Sequence, residues 1–325
     1  MLVAILGMGK MGRNLAQKLM ADGHSVVVWN RSREILEKLR VEYAEHIVNQ
    51  KFQIVHSIDQ LRDTLPKARI ILMMLPAGEI TEDALDTIKE GVAERGDIVI
   101  DGGNSYYLDT EERYEECTEA GIKYLGIGVS GGIHGLLNGY PLMVGGDKSG
   151  YEYIKIVLDS LAKPNGGHTY FGEGGVGHFV KMVHNGIEYG MMQAIAEGFA
   201  VLAKSDYKPN LIEAGNNWQR GSIISSFLIW NAVSAMIKDP NLDQFDGFID
   251  AKGEGEWTVE TAKTLNVPTP VIEAALEFRK RSQYDKGVQE TYVAKMVAAL
   301  RHEFGGHEIH KSEDPSSEPP KGSES

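Results

Sequence analysis

The sequence contains a single cysteine, Cys117, so no disulfide can form within the chain and nothing points to an oxidising compartment. No stretch approaches the ~20 consecutive apolar residues that a membrane-spanning helix needs. The apolar start, MLVAILG, lacks the basic segment that opens a signal peptide, and it predicts a buried first strand instead. We therefore expect a cytoplasmic protein.

Positive charge is also scarce, because 33 Lys and Arg residues stand against 46 Asp and Glu residues, for a formal net charge of -13. This balance argues against nucleic acid or an anionic membrane as the main partner. An anionic substrate would need a local cluster of cationic side chains. The length of 325 residues and the hydrophobic content of 42% indicate an ordinary globular protein with room for two domains.

The first half of the chain alternates short apolar runs with helical stretches. Runs without period-two alternation are typical of strands buried on both faces, and so of a largely parallel sheet covered by helices. We predict an α/β fold, with an N-terminal Rossmann-type doubly wound sheet. The predicted strands are Leu2–Leu6, Ser25–Trp29, Arg69–Leu75, Asp97–Asp101, Ile122–Leu125 and Pro141–Val144.

After about Gly172 the strand signals end, and helical stretches predict an all-α C-terminal domain. We assign residues 1–173 to the nucleotide-binding domain, 174–304 to a helical substrate and dimerisation domain, and 305–325 to a tail that composition predicts to be disordered from about residue 311. The abrupt boundary suits a cleft between two domains. The predicted helices are Val176–Lys204, Leu211–Gly215, Ser222–Lys238, Trp257–Leu265, Thr269–Ser282 and Lys286–Glu303.

Three glycines, Gly7, Gly9 and Gly12, follow the first predicted strand and open a helix. This spacing permits a tight turn, close approach of a pyrophosphate and close helix–strand packing, with backbone N–H groups of the helix start facing the phosphates. The pattern alone is weak evidence, but its place between a strand and a helix, with a second strand at the right distance, predicts a dinucleotide site.

The end of the second strand indicates which dinucleotide binds. An NAD site usually has Asp or Glu there to take the ribose hydroxyls. This chain has Asn30 followed by Arg31 and Ser32, and a guanidinium with a neighbouring hydroxyl can bind a 2′-phosphate. We predict NADP rather than NAD, although NAD remains possible, and an exposed Arg at a strand end is the structural alternative.

Four polar side chains share one face of the long predicted helix, because Lys181, His184, Asn185 and Glu188 are spaced i, i+3, i+4 and i+7. A solvated face would more often carry a mixture of Lys and Glu. In a desolvated cleft, the pKa of a lysine can fall far enough for it to act as a general base. A carboxyl group ~10 Å further along the helix can serve as an acid at another carbon. The pattern favours a hydride transfer with a second proton-transfer step.

Two glycine-rich loops join this candidate site. Residues 101–105, with the sequence Asp-Gly-Gly-Asn-Ser, come at the end of a predicted strand, where ligands gather in open α/β sheets. Residues 129–132, Val-Ser-Gly-Gly, offer a hydroxyl and backbone donors suited to a carboxylate or a phosphate. A plain tight turn is the alternative for the second loop.

These segments, above all His178-Phe-Val-Lys-Met-Val-His-Asn-Gly-Ile-Glu-Tyr-Gly190, resemble the decarboxylating 6-phosphogluconate dehydrogenase family, in its short bacterial form. The resemblance runs from residue 1 to about residue 307. The wider β-hydroxyacid dehydrogenase superfamily shares the glycine loop and the Lys with an Asn four residues later. His184 and the Glu188-Tyr189 pair narrow the match to the one family.

The resemblance implies that 6-phosphogluconate is oxidised at C3, loses CO2 and yields ribulose 5-phosphate in the pentose phosphate pathway. Lys181 would take the proton of the 3-hydroxyl, and Glu188 would protonate C1 of the enediol. No metal is implied. The implied substrate residues are Asn104, Ser130, Gly131, Gly132, His184, Asn185, Tyr189, Lys252, Arg279, Arg301 and His307. The implied cofactor residues are Gly7, Met8, Gly9, Lys10, Met11, Gly12, Asn30, Arg31, Ser32, Leu75 and Asn104.

Two C-terminal segments extend the resemblance. Lys252 begins a loop that resembles Lys-Gly-Thr-Gly-Lys-Trp-Thr of the family, but Glu254 and Glu256 stand in place of the Thr and the second Lys. Residues 301–307 resemble the terminal segment of the long form, whose Arg and His reach the substrate phosphate of the neighbouring subunit. We therefore expect a homodimer or homotetramer with a shared active site, while an ordinary frayed helix end is the alternative.

Two other functions remain open at this stage. A non-decarboxylating β-hydroxyacid dehydrogenase of the 3-hydroxyisobutyrate type explains Lys181 and the glycine loop, but it leaves Glu188 and the cationic residues without a role. A non-catalytic NADP-binding regulator would be expected to lack Lys181.

Overall fold

The computed structural model describes residues 1–251 and 253–306. The chain divides into two compact units. The first comprises residues 1–186 together with 253–261, and the second comprises the other described residues from 187 onward. The division falls inside one long helix, α9 (Val176–Lys204), so that this helix contributes residues to both units.

The first unit is built on a sheet of eight strands among the described residues, in the order β3-β2-β1-β4-β5-β6-β7-β8. Neighbouring strands are parallel except for β6 and β7, which are antiparallel. The strands are β1 (Leu2–Leu6), β2 (Ser25–Trp29), β3 (Phe52–Ile54), β4 (Ile70–Met73), β5 (Ile98–Asp101), β6 (Lys123–Val129), β7 (Pro141–Gly146) and β8 (Gly167–Gly172).

Both faces of the central strands are buried, which explains their unbroken apolar sequences. In β1, for example, Val3 and Ile5 belong to the core on one face, and Ala4 and Leu6 belong to the core on the other. The helices that precede α9 are α1 (Lys10–Ala21), α2 (Arg33–Glu42), α3 (Ala44–Val48), α4 (Leu61–Thr64), α5 (Glu79–Gly91), α6 (Tyr107–Glu119), α7 (Gly135–Asn138) and α8 (Lys148–Ala162).

The second unit is helical in its described part. Its core gathers Met192 and Phe199 of α9 with apolar residues of α11 and α15. The helices after α9 are α10 (Leu211–Trp218), α11 (Phe227–Lys238), α12 (Glu254–Thr264), α13 (Pro270–Ser282), α14 (Lys286–Gln289) and α15 (Tyr292–Gly305), of which the first two turns of α12 belong to the first unit.

The predicted fold class is confirmed, and α9 has the predicted bounds. Two strands were not predicted. β3 has only three residues, and β8 alternates exposed and half-buried residues instead of forming an apolar run. The single helix predicted over residues 286–303 is two helices, because Asp285 caps α14 and Thr291 caps α15, each accepting hydrogen bonds from backbone N–H groups.

No helix of the described residues is long and apolar enough to cross a bilayer.

Candidate active site

The glycine loop between β1 and α1 is packed so tightly that two of its glycines admit no side chain. Gly7 has φ +95°, and a Cβ there would overlap the carbonyl oxygen of Met74. A Cβ at Gly12 would overlap the carbonyl oxygen of Gly7. At Gly9, in contrast, no described atom lies within 4 Å of the position that a Cβ would take. The loop therefore leaves open space in front of the N-terminus of α1, where a pyrophosphate fits.

Asn30, at the end of β2, holds this loop in place. The backbone N–H of Met8 donates to Asn30 Oδ1 at 2.9 Å, and the backbone N–H of Gly7 donates to the carbonyl oxygen of Trp29, also at 2.9 Å. The side chain of Met8 is fully buried in the core. Arg31 and Ser32 are exposed beyond the strand, with Ser32 at the N-terminus of α2. The amide of Asn30 thus supports the loop, and Arg31 is an exposed cation directly beyond the strand.

The other predicted cofactor residues follow the same edge of the sheet. Lys10 and Met11 form the first turn of α1, and Leu75 follows β4, with its Cδ2 atom 3.0 Å from the position of a Cβ at Gly7. Asn104 is exposed in the loop after β5. The predicted cofactor residues therefore lie at the carboxyl ends of β1, β2, β4 and β5, where ligands bind in open parallel sheets.

The loop that presents Asn104 is held from beneath by Asp101, which is fully buried. The Asp101 carboxylate accepts hydrogen bonds from the Ser105 hydroxyl at 2.6 Å, the Gly103 N–H at 3.0 Å, the Arg113 guanidinium at 3.1 Å and the Tyr124 hydroxyl at 3.3 Å. Burial, and then the Asp101 charge, raise the pKa of Tyr124 well above its ordinary value. Sequence reasoning singled out the loop but not Arg113 or Tyr124, which lie 12 and 23 residues away.

The start of α9 crosses β6 at glycines. A Cβ at Gly128 would lie 2.8 Å from Cγ of Lys181 and closer still to its Cβ. A Cβ at Gly177, on the helix, would overlap the carbonyl oxygen of Gly126, on the strand. Because glycines line both sides of the crossing, the helix lies close to the sheet, and Lys181 is 8% exposed. This packing sets the place of the candidate base.

Lys181, His184, Asn185 and Ser130 form one hydrogen-bonded group in the first unit. Lys181 Nζ donates to Asn185 Oδ1 at 2.6 Å, and His184 Nδ1 lies 2.8 Å from the same oxygen. Ser130 Oγ lies 3.3 Å from His184 Nε2. The helix spacing therefore brings three predicted residues together, and the loop after β6 supplies the fourth.

A fifth residue, Glu254, joins this group without having been predicted as part of it. Its Oε1 accepts a hydrogen bond from Asn185 Nδ2 at 2.9 Å. The only signal in the sequence was its departure from the resembling loop, where Thr stands at this position. That signal could not indicate a partner 69 residues away.

The second unit contains a separate cationic group. The Arg279 guanidinium carbon lies 3.3 Å from the centroid of the Tyr189 ring, and both side chains are buried. Burial lowers the pKa of Arg279 to about 10, Tyr189 opposes the shift, and Arg301 adds to it. Arg279 has no ion pair with an acid among the described residues. A buried guanidinium beside a second arginine can bind a phosphate or a carboxylate.

Several predicted residues have other environments or are not covered. Arg301 lies 3.5 Å from Asp250 Oδ2, and Glu188 is half-buried in the second unit. Gly131 and Gly132 both have positive φ angles, in the turn that follows Ser130. Lys252, His307 and the tail from residue 311 lie outside the described residues.

Comparison with known families gives two matches that together span most of the chain. Residues 2–174 match the model of the NAD binding domain of 6-phosphogluconate dehydrogenase. Residues 177–313 match the model of the 6-phosphogluconate dehydrogenase C-terminal domain.

Individual relatives agree with the family models. The chain is 40% identical to "Putative 6-phosphogluconate dehydrogenase YqeC" of Bacillus subtilis, over 96% of this chain and 100% of that protein. It is 34% identical to the NAD(+)-dependent, decarboxylating 6-phosphogluconate dehydrogenase of Haloferax volcanii, over 97% of this chain and 100% of that protein. An NADP(+)-dependent, decarboxylating 6-phosphogluconate dehydrogenase of Bacillus subtilis is 36% identical, but the match covers 83% of this chain and 59% of that protein.

Solved structures show the same architecture. A Plasmodium falciparum 6-phosphogluconate dehydrogenase superposes with a TM-score of 0.76 at 32% identity, covering 87% of this chain and 62% of that one. A Mycobacterium tuberculosis 3-hydroxyisobutyrate dehydrogenase superposes with a TM-score of 0.66 at 19% identity, covering 92% and 99%. At 19% identity, the match to the Mycobacterium tuberculosis enzyme shows a shared fold and no more.

Proposed function

Because the chain belongs to the 6-phosphogluconate dehydrogenase family, we propose that it catalyses the oxidative decarboxylation of 6-phosphogluconate to ribulose 5-phosphate and CO2. The single observation that carries the proposal is the hydrogen-bonded group of Lys181, His184 and Asn185 at the start of α9. A buried lysine can lose its proton more easily than an exposed one, because burial disfavours the charged form. The group is therefore suited to general base catalysis.

In the proposed reaction, Lys181 accepts the proton of the 3-hydroxyl as hydride leaves C3. The nicotinamide cofactor supplies the hydride acceptor when it is bound. The 3-keto acid that results can lose its carboxylate as CO2, because the ketone takes up the electron pair and gives an enediol. Glu188 then donates a proton to C1, which completes ribulose 5-phosphate. This role for Glu188 rests on the resemblance and on its position seven residues after Lys181.

We assign the substrate phosphate to Arg279, with Tyr189 and Arg301. Arg279 is 2% exposed and stacks on Tyr189, so its guanidinium is fixed in orientation. A charged group this deeply buried is costly unless an anion binds it. A phosphate ester of the substrate supplies that anion, which a plain hydroxy acid such as 3-hydroxyisobutyrate does not.

The proposed cofactor is NADP. The absence of an acid at the end of β2 and the exposed Arg31 and Ser32 support this choice. One relative is named as NAD(+)-dependent and another as NADP(+)-dependent, so membership of the family does not by itself indicate the cofactor. We expect Arg31→Ala to raise the KM for NADP much more than the KM for NAD, and equal effects would remove the argument.

The function is tested by supplying 6-phosphogluconate with NADP or NAD and measuring reduced cofactor and CO2 in the same reaction. Equal amounts of both products are expected. Reduction without CO2 would favour the 3-hydroxyisobutyrate type of dehydrogenase, and no reduction with any small hydroxy acid would favour a regulator. Lys181→Ala should abolish turnover and leave cofactor binding intact, while retained turnover would contradict its role as the base.

We also propose that two copies of the chain share their active sites. One support is Arg301, which lies in the segment that resembles the subunit-crossing end of the long form. A second support is the exposure of large apolar side chains on α11, namely Phe227 at 43%, Trp230 at 46% and Ile237 at 62%. Lys181→Ala chains should be inactive and Arg301→Ala chains weakly active, and a mixture of the two should regain activity when they are refolded together. No recovery in a confirmed mixed oligomer would contradict sharing.

A further inference from the structure

Glu254 lies at the beginning of α12, in a segment that belongs to the first unit. The Trp257 ring lies 5.1 Å from the Tyr106 ring, centroid to centroid. The Thr258 hydroxyl donates to the carbonyl oxygen of Met182 at 2.8 Å. At Gly186, a Cβ would lie only 2.6 Å from Cγ2 of Thr258, so α9 and α12 approach closely there. These contacts hold the start of α12, and with it Glu254, against the beginning of α9.

The donors and acceptors around Asn185 allow one orientation of its amide. A lysine ammonium can only donate and a carboxylate can only accept, so the amide oxygen must face Lys181 and the amide nitrogen must face Glu254. His184 Nδ1 faces the same oxygen, so it donates to that oxygen, and Nε2 lies 3.3 Å from the Ser130 hydroxyl. Lys181 and Glu254 together thus determine the orientation of the Asn185 amide.

We propose that Glu254 is a positioning residue for the base: it holds the Asn185 amide so that the amide oxygen keeps Lys181 and His184 in place. The inference rests on the proposed function, since it assigns a part in that same site. Without Glu254, the Asn185 amide loses the contact that holds its nitrogen, and the side chain can leave the position in which its oxygen binds Lys181 and His184. The resembling loop has Thr at this position, so the carboxylate that binds Asn185 is a feature of this chain's own sequence.

A plainer role for Glu254 must be separated from this one. Glu254 and Glu256 both lie in the first turn of α12, where any negative charge stabilises a helix. Two conservative variants separate the negative charge of Glu254 from the distance between its carboxylate oxygen and Asn185. Glu254→Gln removes the charge but keeps an acceptor oxygen at the same distance from Asn185. Glu254→Asp keeps the charge but withdraws the oxygen by about 1.5 Å, one carbon–carbon bond.

The experiment measures kcat and KM for 6-phosphogluconate, with a thermal melt of each variant as a folding control. We expect Glu254→Gln to stay within about 3-fold of the wild type and Glu254→Asp to lose roughly 10- to 100-fold in kcat, because misplacement of about 1 Å has that cost. The matched control is Glu260→Gln, which removes an exposed charge from the same helix and should leave both constants unchanged. Loss in the Gln variant with retention in the Asp variant would overturn the proposal, as would equal loss in both.

A second readout does not depend on turnover. Acetic anhydride labels neutral amines, and the extent of labelling at Lys181 can be measured by mass spectrometry of its peptide. The Asp variant should label at Lys181 several-fold faster than the wild type, because the Asn185 oxygen no longer stabilises the ammonium form, and the Gln variant should label at the wild-type rate. Identical labelling in all three proteins would refute the positioning role. If the wild type turns over no hydroxy acid, the proposed function fails, and the labelling still decides the role of Glu254.

Discussion

Gly128→Ala tests how closely α9 must lie on the sheet for Lys181 to work. The added methyl group would lie 2.8 Å from Lys181 Cγ. Ordinary carbon–carbon separations begin near ~3.5 Å, so strand and helix must separate by roughly 1 Å. Overpacking of this kind costs about 1–3 kcal/mol, and a shift of ~1 Å at a catalytic group costs about 100-fold in rate. We expect kcat to fall by about that factor.

The assay follows reduced cofactor with 6-phosphogluconate and records the melting temperature beside it. For a protein of this size, the loss of stability should appear as a fall of a few degrees in Tm, at ~2–4 °C per kcal/mol. Cofactor affinity should be unchanged, since the glycine loop lies on β1 and not on β6. The matched control is Gly198→Ala, at an exposed position of the same helix where no described atom lies within 4 Å of the added Cβ.

Gly198→Ala should leave kcat unchanged and stabilise the protein by about 1 kcal/mol, because alanine is the better helix former. The reasoning is refuted if Gly128→Ala retains wild-type kcat and Tm, since β6 and α9 would then have room that the structure does not show.

Three further predictions concern buried groups in the first unit. Asp101→Asn should destabilise the protein by about 3–5 kcal/mol in a denaturant titration, because it leaves Arg113 with no buried counter-charge at that position; a change below 1 kcal/mol would contradict the network. Burial lowers the pKa of His178, against an opposing effect of Asp101, so the unfolded chain, with an imidazole pKa of about 6.5, takes up a proton first as the pH falls. The contribution of neutral His178 to the free energy of unfolding is therefore complete above about pH 6.5 and is lost as the pH falls below it. His178→Asn should reduce the fall in the free energy of unfolding between about pH 7.5 and pH 5.5. Burial raises the pKa of the Cys117 thiol to about 12, so a thiol reagent at about pH 8 should label it only when denaturant unfolds the protein.

The strengths and gaps of the sequence predictions have physical causes. The glycine loop and α9 were predicted because their signals are local: a spacing of three glycines, and a helical period that persists over 29 residues. β3 and β8 were missed because a three-residue edge strand and a half-exposed strand lack the apolar run on which the prediction relied. The resemblance supplied the family, which the comparisons confirmed.

The sequence by itself determined the glycine loop and the stripe of polar groups on α9, because both depend on residues close together along the chain. Only the tertiary structure decided what surrounds that stripe. Glu254 meets Asn185 across 69 residues, and Ser130 meets His184 across 54. Such pairs depend on where the sheet, the helix crossing at Gly128 and the start of α12 come to lie. No local period or spacing predicts that arrangement. Glu254 was therefore only a departure from a pattern in the sequence, and the fold alone shows that it binds Asn185.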